Sequence, residues 1–276
     1  MAIATESINM LNQTKQYYKV IQITDCHLFK TNPFLFSVNC NENFISVINK
    51  IKNNDLKDAD AIFLTGDLSQ DESKESYELI VKQLANINLP IYWIPGNHDD
   101  IDVMESVFDT SPFFKGSHFK TLQWNFIFLN TKKIGTDKGY ISENELTFLQ
   151  SRLDQIDNNK PTAIIMHHHP VPVGTPLIDE YVLVNNSLFM MEIKGKVDLV
   201  ICGHVHGDYS IKCENITIET APATCLQWTK GTNKLNIENK IGYKIYYFKE
   251  KSYVAKSVLW SDKKNKLFPE KNELSL

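Results

Sequence analysis

Short runs of mostly apolar residues recur along the chain, and a polar segment follows each of them. The runs are VIQIT at 20–24, AIFLT at 61–65, IYWI at 91–94, FIFLN at 126–130, AIIM at 163–166 and LVIC at 199–202. Runs this short that stay apolar at consecutive positions are typical of strands covered on both faces of a sheet. The pattern therefore predicts a set of buried strands at the centre of the fold.

The segments between the early strands have the period of amphipathic helices. Residues 42–53 and 75–87 each place their apolar side chains on one helical face. Ser142 and Glu145 have the spacing of a capping box, which predicts that a third helix begins there. Residues 210–220 and 241–260 are again rich in strand-forming residues, and the second stretch predicts a hairpin that turns near 249–251. This order predicts an α/β protein with a strand-rich second half.

The 276 residues contain neither an internal repeat nor a low-complexity linker. Single α/β domains of this length are common. We therefore expect one domain over 1–276, with a core at about 19–260 and a polar tail or lid at 261–276.

Charge and composition narrow the classes of function. The net charge of −4 argues against a nucleic-acid-binding protein, which usually has a basic face. The chain has a single arginine, Arg152, so something other than guanidinium groups must neutralise any bound phosphate. The start of the chain lacks a signal-peptide pattern, no stretch of about 18 apolar residues predicts a membrane helix, and the scattered cysteines suit a reducing compartment. We therefore expect a cytoplasmic protein with no membrane partner.

The histidines are concentrated at the ends of the predicted strands. Seven of the eight lie in TDCH at 24–27, PGNHDD at 95–100, MHHHP at 166–170 and CGHVH at 202–206, and TGDLSQD at 65–71 adds a carboxylate. Ligand sites of α/β sheets lie at the carboxyl ends of the strands. We therefore expect these motifs to meet at one place.

The residue types in these motifs predict a pair of metal ions. Imidazole, carboxylate and amide groups suit Fe, Mn or Zn, and they outnumber the ligands of one tetrahedral ion. Two-metal sites hold their ions about 3.5–4 Å apart and need a bridging ligand, for which the Asp67 carboxylate is suited. We expect a net charge of about +1 when the charges of two divalent ions are combined with those of Asp25, Asp67 and a bridging hydroxide. This charge is enough to hold a phosphodiester without arginine.

The motifs D-x-H, G-D, G-N-H-D, H before proline and G-H-x-H, in this order, resemble the calcineurin-like metallophosphoesterase family over about residues 19–225. The resemblance implies a four-layer α/β/β/α sandwich of two mixed sheets flanked by helices. It also implies seven metal ligands: Asp25, His27 and His206 for the first ion, Asn97, His167 and His204 for the second, and Asp67 for both.

The same resemblance implies roles in catalysis. His98 is expected to contact the phosphate and protonate the leaving oxygen, and Asp99 is expected to orient His98. His168 either reaches the phosphate or supports the ligands, whereas His169 supports the loop or lines the substrate pocket. The residues expected to contact substrate are His27, Asp67, Asn97, His98, His168 and His206.

Longer segments narrow the resemblance to one branch. ITDCHLF, GDLSQDESKESY, WIPGNHD, HHHPVPVG and APATCLQW are similar to bacterial class III cyclic AMP phosphodiesterases. This implies hydrolysis of 3',5'-cyclic AMP to AMP by a metal-bound hydroxide, with Fe or Mn favoured, in a monomer or homodimer. The alternatives are a 2',3'-cyclic nucleotide phosphodiesterase or a broader phosphodiesterase or phosphatase of the same fold. A non-catalytic binding module is less favoured because every expected ligand is present.

Overall fold

Two six-stranded mixed sheets form the centre of the computed structural model, which describes residues 15–157 and 159–261. The strands are β1 (Tyr18–Ile23), β2 (Phe34–Leu35), β3 (Val38–Asn39), β4 (Ala61–Thr65), β5 (Ile91–Ile94), β6 (Phe113–Lys115), β7 (His118–Lys120), β8 (Asn125–Phe128), β9 (Thr162–Met166), β10 (Leu199–Cys202), β11 (Ser210–Cys213), β12 (Ile216–Thr220), β13 (Gln227–Trp228), β14 (Ile237–Glu238), β15 (Ile241–Lys249) and β16 (Ser252–Trp260). The first sheet has the order β16-β15-β1-β4-β5-β6 and the second β11-β12-β10-β9-β8-β7. The pairs β2-β3 and β13-β14 form separate two-stranded ribbons.

Helices cover the outer face of each sheet. They are α1 (Cys40–Lys50), α2 (Lys74–Leu84), α3 (Ile101–Val107), α4 (Glu143–Leu153), α5 (Pro176–Asp179) and α6 (Asn186–Ile193). A π-helical turn, Ile51–Asp55, extends α1. Within the described residues, no helix combines the length and apolar character needed to cross a bilayer.

Three apolar layers hold the sheets and helices together. Phe44 of α1 and Tyr77 of α2 belong to the cluster on the outer face of the first sheet, and Leu149 of α4 belongs to the cluster on the outer face of the second. Between the sheets, the rings of Phe63 and Phe128 meet edge to face with centroids 5.0 Å apart. The order helix, sheet, sheet, helix confirms the predicted four-layer α/β/β/α sandwich.

The structure confirms the predicted elements with small shifts at their ends. Each of the six predicted strands and the first two helices begins and ends within three residues of its expected bounds, and β15 and β16 form the predicted hairpin. Ser142 caps α4 by accepting the amide of Glu145 at 3.1 Å, but the Glu145 carboxylate accepts the amide of Asn130. Only half of the capping box therefore forms. Of the predicted tail at 261–276, residues 262–276 lie outside the described residues.

The parallel registers place the predicted ligand loops at one edge. Ile23 at the end of β1 lies opposite Leu64, which in turn lies opposite Trp93 of β5. In the second sheet Met166 lies opposite Cys202, so β9 and β10 also end together. The loops that follow these five strands are the ones that contain the predicted ligands.

Candidate metal centre

The backbone around the centre adopts a conformation that non-glycine residues rarely take. Asp25, His27, Asp67, His204 and His206 all have φ between 45° and 66°. Left-handed backbone costs about 1–3 kcal/mol at a residue that has a side chain, and such residues concentrate at functional sites. Five of the eleven described non-glycine residues with positive φ are therefore predicted metal ligands, and at these five the backbone conformation sets the direction of the side chain.

Glycine is required where two of these loops touch. A Cβ atom on Gly96 would lie 2.1 Å from Asp67 Oδ1 and 2.3 Å from the Asp67 backbone nitrogen. A Cβ on Gly203 would lie 2.2 Å from Thr24 Oγ1. These approaches are far inside van der Waals contact, so the glycines of the G-N-H-D and G-H-x-H motifs allow the ligand loops to pack directly against one another.

The residues predicted for the first ion converge. His27 Nε2 and His206 Nε2 lie 3.0 Å apart, and His206 Nε2 lies 3.5 Å from Asp25 Oδ1. Asp67 Oδ2 lies 3.7 Å from His27 Nε2. These atoms surround one small space, as ligands of a single ion do.

The second set lies on the other side of Asp67. His167 Nε2 is 3.2 Å from Asp67 Oδ2, the same oxygen that faces His27. Ring nitrogens of His167 and His204 lie within 4.8 Å of one another. Asp67 Oδ1 accepts the backbone amide of His98 at 2.9 Å, which holds the carboxylate in this orientation. One carboxylate oxygen therefore faces both sets, which is the position of a bridging ligand.

Hydrogen bonds to backbone and side-chain acceptors turn three imidazoles toward the centre. His27 Nδ1 lies 2.6 Å from Gln70 Oε1, and His167 Nδ1 lies 2.7 Å from the Thr65 carbonyl oxygen. His206 Nδ1 lies 3.0 Å from the Leu226 carbonyl oxygen. Since these partners are acceptors, we assign the proton to Nδ1, which leaves a lone pair on each Nε2. Metal-binding histidines are commonly fixed in this way.

The atoms that point into the centre need a cation to satisfy them. The lone pairs of His27 Nε2 and His206 Nε2 face each other across 3.0 Å. His204 Nε2 and Asn97 Oδ1 are buried without a hydrogen-bond partner, and the neighbour of His167 Nε2 is Asp67 Oδ2 at 3.2 Å. Unpaired buried polar atoms are costly, and their convergence indicates an ion site. The donor set, which contains nitrogen and oxygen atoms, thus fits two transition-metal ions.

Burial keeps most of the histidines neutral, which is the form that binds metal. It lowers the pKa of His27 to about 4 and holds the pKa values of His204 and His206 well below the usual range. Burial also raises the pKa of the Asp25 carboxyl to about 7. Neutral imidazoles at ordinary pH leave their lone pairs available to an ion.

Asp67 and His167 behave as a charged pair when no metal is considered. Burial alone would lower the pKa of His167, but the Asp67 carboxylate beside it raises that pKa to about 9. Burial alone would raise the pKa of Asp67, but His167 and His27 hold it well below its usual value. A positive charge between these two residues is therefore favourable, and a metal ion would supply it.

Asn97 is turned by a contact that the sequence did not predict. Asn97 Nδ2 lies 3.4 Å from Asp137 Oδ1, so the NH₂ group of the amide points away from the proposed metal centre. Asn97 Oδ1 has no hydrogen-bond partner and is therefore free to bind an ion. Lys132 Nζ donates to the Asn97 carbonyl at 2.9 Å and also to the carbonyl of Asp99. These neighbours fix the loop on which Asn97 and His98 lie.

The structure distinguishes the roles of His168 and His169. Both nitrogens of the buried His168 ring are occupied, Nδ1 by the Thr131 hydroxyl at 2.7 Å and Nε2 by the Asp137 carbonyl at 3.2 Å. These bonds favour the supporting role of His168 over the expected contact with phosphate. His169 is buried, has no partner at either nitrogen, and stacks near His204 with centroids 5.8 Å apart.

Asp99 differs from its expected role. Its buried carboxylate accepts the amides of Leu68, Ser69 and Gly96 at 2.8–3.2 Å and the Tyr77 hydroxyl at 3.2 Å. No contact between this carboxylate and the His98 ring occurs among the described residues. Asp99 therefore joins the loop that follows β4 to the loop that follows β5, and it does not orient His98 directly.

Asp99→Asn should therefore destabilise the protein. The amide would place an N–H group against a backbone donor in a buried site, and such a mismatch costs about 1–3 kcal/mol. Urea unfolding of metal-free protein would measure the change against Asp102→Asn, an exposed change on α3. Unchanged stability together with lost turnover would instead support the orienting role.

Gln70 is the residue that does contact His98, and sequence reasoning did not single it out. Its Oε1 accepts His27 Nδ1–H at 2.6 Å, and its Nε2 donates to His98 Nδ1 at 3.3 Å. A glutamine can do both at once because its amide has one acceptor end and one donor end. The bonds leave His27 Nε2 with a lone pair and His98 Nε2 with a proton. One sequence feature could have indicated this role of Gln70. The GDLSQD segment, which includes Gln70, is similar to the phosphodiesterases.

Gln70→Leu should lower metal affinity at the first position and turnover together, each by about 10–100-fold, as loss of a bond behind a metal ligand typically does. Metal titration of the metal-free protein and steady-state kinetics would measure both. Gln150→Leu, on the exposed face of α4, is the matched control. Wild-type metal affinity and wild-type kcat in Gln70→Leu would refute the positioning role.

The fold and the centre together define a metal-dependent α/β phosphoesterase. Residues 18–208 match the family described as calcineurin-like phosphoesterase, and the chain belongs to that family. Within that family, this protein is a metal-dependent hydrolase.

Relatives and solved structures agree with this assignment. The chain is 33% identical over 251 residues to the probable cyclic nucleotide phosphodiesterase CBUA0032 of Coxiella burnetii, covering 88% of this chain and 97% of that one. It is 30% identical over 225 residues to the 3',5'-cyclic adenosine monophosphate phosphodiesterase CpdA of Escherichia coli K12, covering 80% and 81%. A dimetal phosphatase from Danio rerio shares the fold, with a TM-score of 0.67 at 12% identity over 87% of this chain and 95% of that one.

Proposed function

We propose that this protein hydrolyses 3',5'-cyclic AMP to AMP with two metal ions held by the seven predicted ligands. The observation that supports this most is the Asp67 oxygen facing both ligand sets, surrounded by imidazole lone pairs that have no other partner. The cyclic nucleotide phosphodiesterases among the relatives support a cyclic nucleotide as the substrate. A bound pair of such ions polarises phosphoryl oxygens and activates water.

The chain's own residues then position and protonate the substrate. Asn97, His98 and His206 line the same cavity as His27, Asp67 and His204, so a phosphate bound there is within reach of these side chains. Gln70 occupies His98 Nδ1, so a protonated His98 ring would donate from Nε2 to the ribose O3' as the P–O bond breaks and would end as neutral imidazole. General-acid catalysis of this kind contributes about 10²–10⁴ in rate.

The remaining proposals concern the metal and the setting. Fe or Mn is favoured over Zn because the resemblance to the cyclic AMP phosphodiesterases implies these metals, whereas the nitrogen and oxygen donors accept all three. The protein acts as a single domain over 1–276, in the cytoplasm, as a monomer or homodimer. Its partner is the cyclic nucleotide, with no nucleic acid and no membrane.

A side-by-side assay tests the substrate. Protein reconstituted with Mn²⁺ is given 3',5'-cyclic AMP, 2',3'-cyclic AMP and a DNA oligomer under identical conditions. The highest kcat/KM is expected for 3',5'-cyclic AMP. A higher value for the 2',3' isomer would move the proposal to that class, and efficient cleavage of DNA would overturn it.

A further inference from the structure

The cavity at the metal centre has two unlike walls. One wall is polar and the other is largely apolar; the polar wall consists of His27, Asp67, Asn97, His98, Asp137, His204 and His206. The apolar wall, as we call it, consists of Leu177, Ile178, Tyr181, Trp228 and Leu235. The cavity has a volume of about 160 Å³ and opens to solvent at its mouth.

We propose that the apolar wall binds the nucleobase of the substrate by its flat face, with Trp228 as the stacking residue. The inference rests on the proposed function, because it assumes that a nucleoside phosphate occupies the cavity. It adds a specificity-determining residue and a prediction about base preference.

Trp228 is held in a defined position beside the centre. Its ring stacks on the ring of His206, with centroids 5.4 Å apart and 30° between the planes. Phe36 meets it edge to face at 5.6 Å. The Trp228 amide also donates to the His206 carbonyl at 3.1 Å. The Trp228 ring therefore lines the cavity directly beside a proposed metal ligand.

Apolar side chains at the mouth of the cavity are left in water. Leu235, which lines the cavity, is 50% exposed. Phe36, which contacts the Trp228 ring, is 38% exposed. Exposed apolar groups clustered at a cavity mouth are typical of a binding site. A flat, apolar base would cover them, whereas a small phosphate ester would leave them exposed.

The apolar wall recognises the base without reading its edge. Its polar groups are the Tyr181 hydroxyl and the indole N–H of Trp228, and none of its five side chains is charged. Stacking on an aromatic ring tolerates any base, since every base has a π face. The wall should therefore bind adenine and guanine with similar affinity.

The test compares AMP with ribose 5-phosphate, which has the same phosphate and ribose but no base. Inhibition constants are measured on protein loaded with Mn²⁺. Wild-type protein should bind AMP about 10- to 100-fold more tightly than ribose 5-phosphate, on the scale of stacking one base. Trp228→Ala should lose most of this difference and leave ribose 5-phosphate unchanged, whereas Trp228→Phe should keep most of it.

Metal content is measured for every variant, and Leu122→Ala, an exposed change at the far end of the sheets, is the matched control. GMP should bind within about threefold of AMP, because stacking reads the face of the base. Equal binding of AMP and ribose 5-phosphate by wild-type protein would overturn the inference, and so would a parallel loss of both ligands in Trp228→Ala. If cyclic nucleotides are not hydrolysed but the AMP preference depends on Trp228, the proposed function fails and this inference stands.

Discussion

Asp67→Asn is expected to empty both metal positions and abolish hydrolysis. Asp67 Oδ2 lies 3.2 Å from His167 Nε2 and 3.7 Å from His27 Nε2, so one oxygen faces both ligand sets. The amide is a neutral and poorer ligand, and it cannot balance the charge of two ions. We expect kcat to fall by at least about 10³-fold, because the ions supply a large part of an acceleration that commonly exceeds 10⁶.

The variant should remain folded, which allows the metal effect to be measured. The oxygen of the substituted side-chain amide can still accept the His98 backbone amide that now bonds Asp67 Oδ1. Metal content by mass spectrometry and hydrolysis of cyclic AMP would be compared with Asp102→Asn, an exposed change outside the centre. Two ions per chain and near wild-type turnover in Asp67→Asn would contradict the bridging role.

His98→Ala is expected to lower kcat on cyclic AMP by about 10²–10⁴ while both ions remain, as removal of a general acid does. The ring lies 5.1 Å from that of His27 but is not itself among the proposed ligands. Its Nδ1 is bonded to Gln70, so Nε2 is the atom that can give a proton to the leaving oxygen.

A substrate with a good leaving group separates this role from a structural one. Bis(p-nitrophenyl) phosphate releases a stable anion that needs no proton, so His98→Ala should lose far less activity on it than on cyclic AMP. His118→Ala, on the exposed strand β7, is the matched control. An equal loss on both substrates, or the loss of a metal ion, would exclude the general-acid role.

The part of the centre that was predicted from sequence depends on backbone topology. Strands that are apolar at consecutive positions form parallel sheets, and parallel strands bring the residues that follow them to one edge. Asp25, Asp67 and His167 each follow such a strand, and the structure brings their ligand atoms within 4.8 Å of one another. The motifs therefore predicted which residues meet without any knowledge of side-chain contacts.

The roles that the sequence did not predict depend on where side chains point. Asp99 follows His98 directly, which favours a role beside it, but its carboxylate instead accepts amides about 30 residues away in sequence. Gln70 contacts His27 and His98 only because three loops close on one another. In His168, a bond to Thr131 favours the supporting role among the two roles that were left open. Contacts between residues distant in sequence cannot be derived from one chain's pattern alone.

Trp228 illustrates the same limit for substrate recognition. The segment APATCLQW contributed to the resemblance, but nothing in it shows that the indole stacks on a metal ligand 22 residues earlier. The ribbon of β13 and β14 sets that position, and two-residue strands have no clear sequence pattern.

The central claim is that the protein holds two metal ions and that both are needed to cleave a phosphodiester. Its most direct test is titration of the metal-free wild-type protein with Mn²⁺, following bound metal and hydrolysis of 3',5'-cyclic AMP in the same samples. We predict two bound ions per chain at saturation, with full turnover reached only when the second ion binds. A saturation stoichiometry of one or fewer, or full turnover in metal-free protein, would contradict the account.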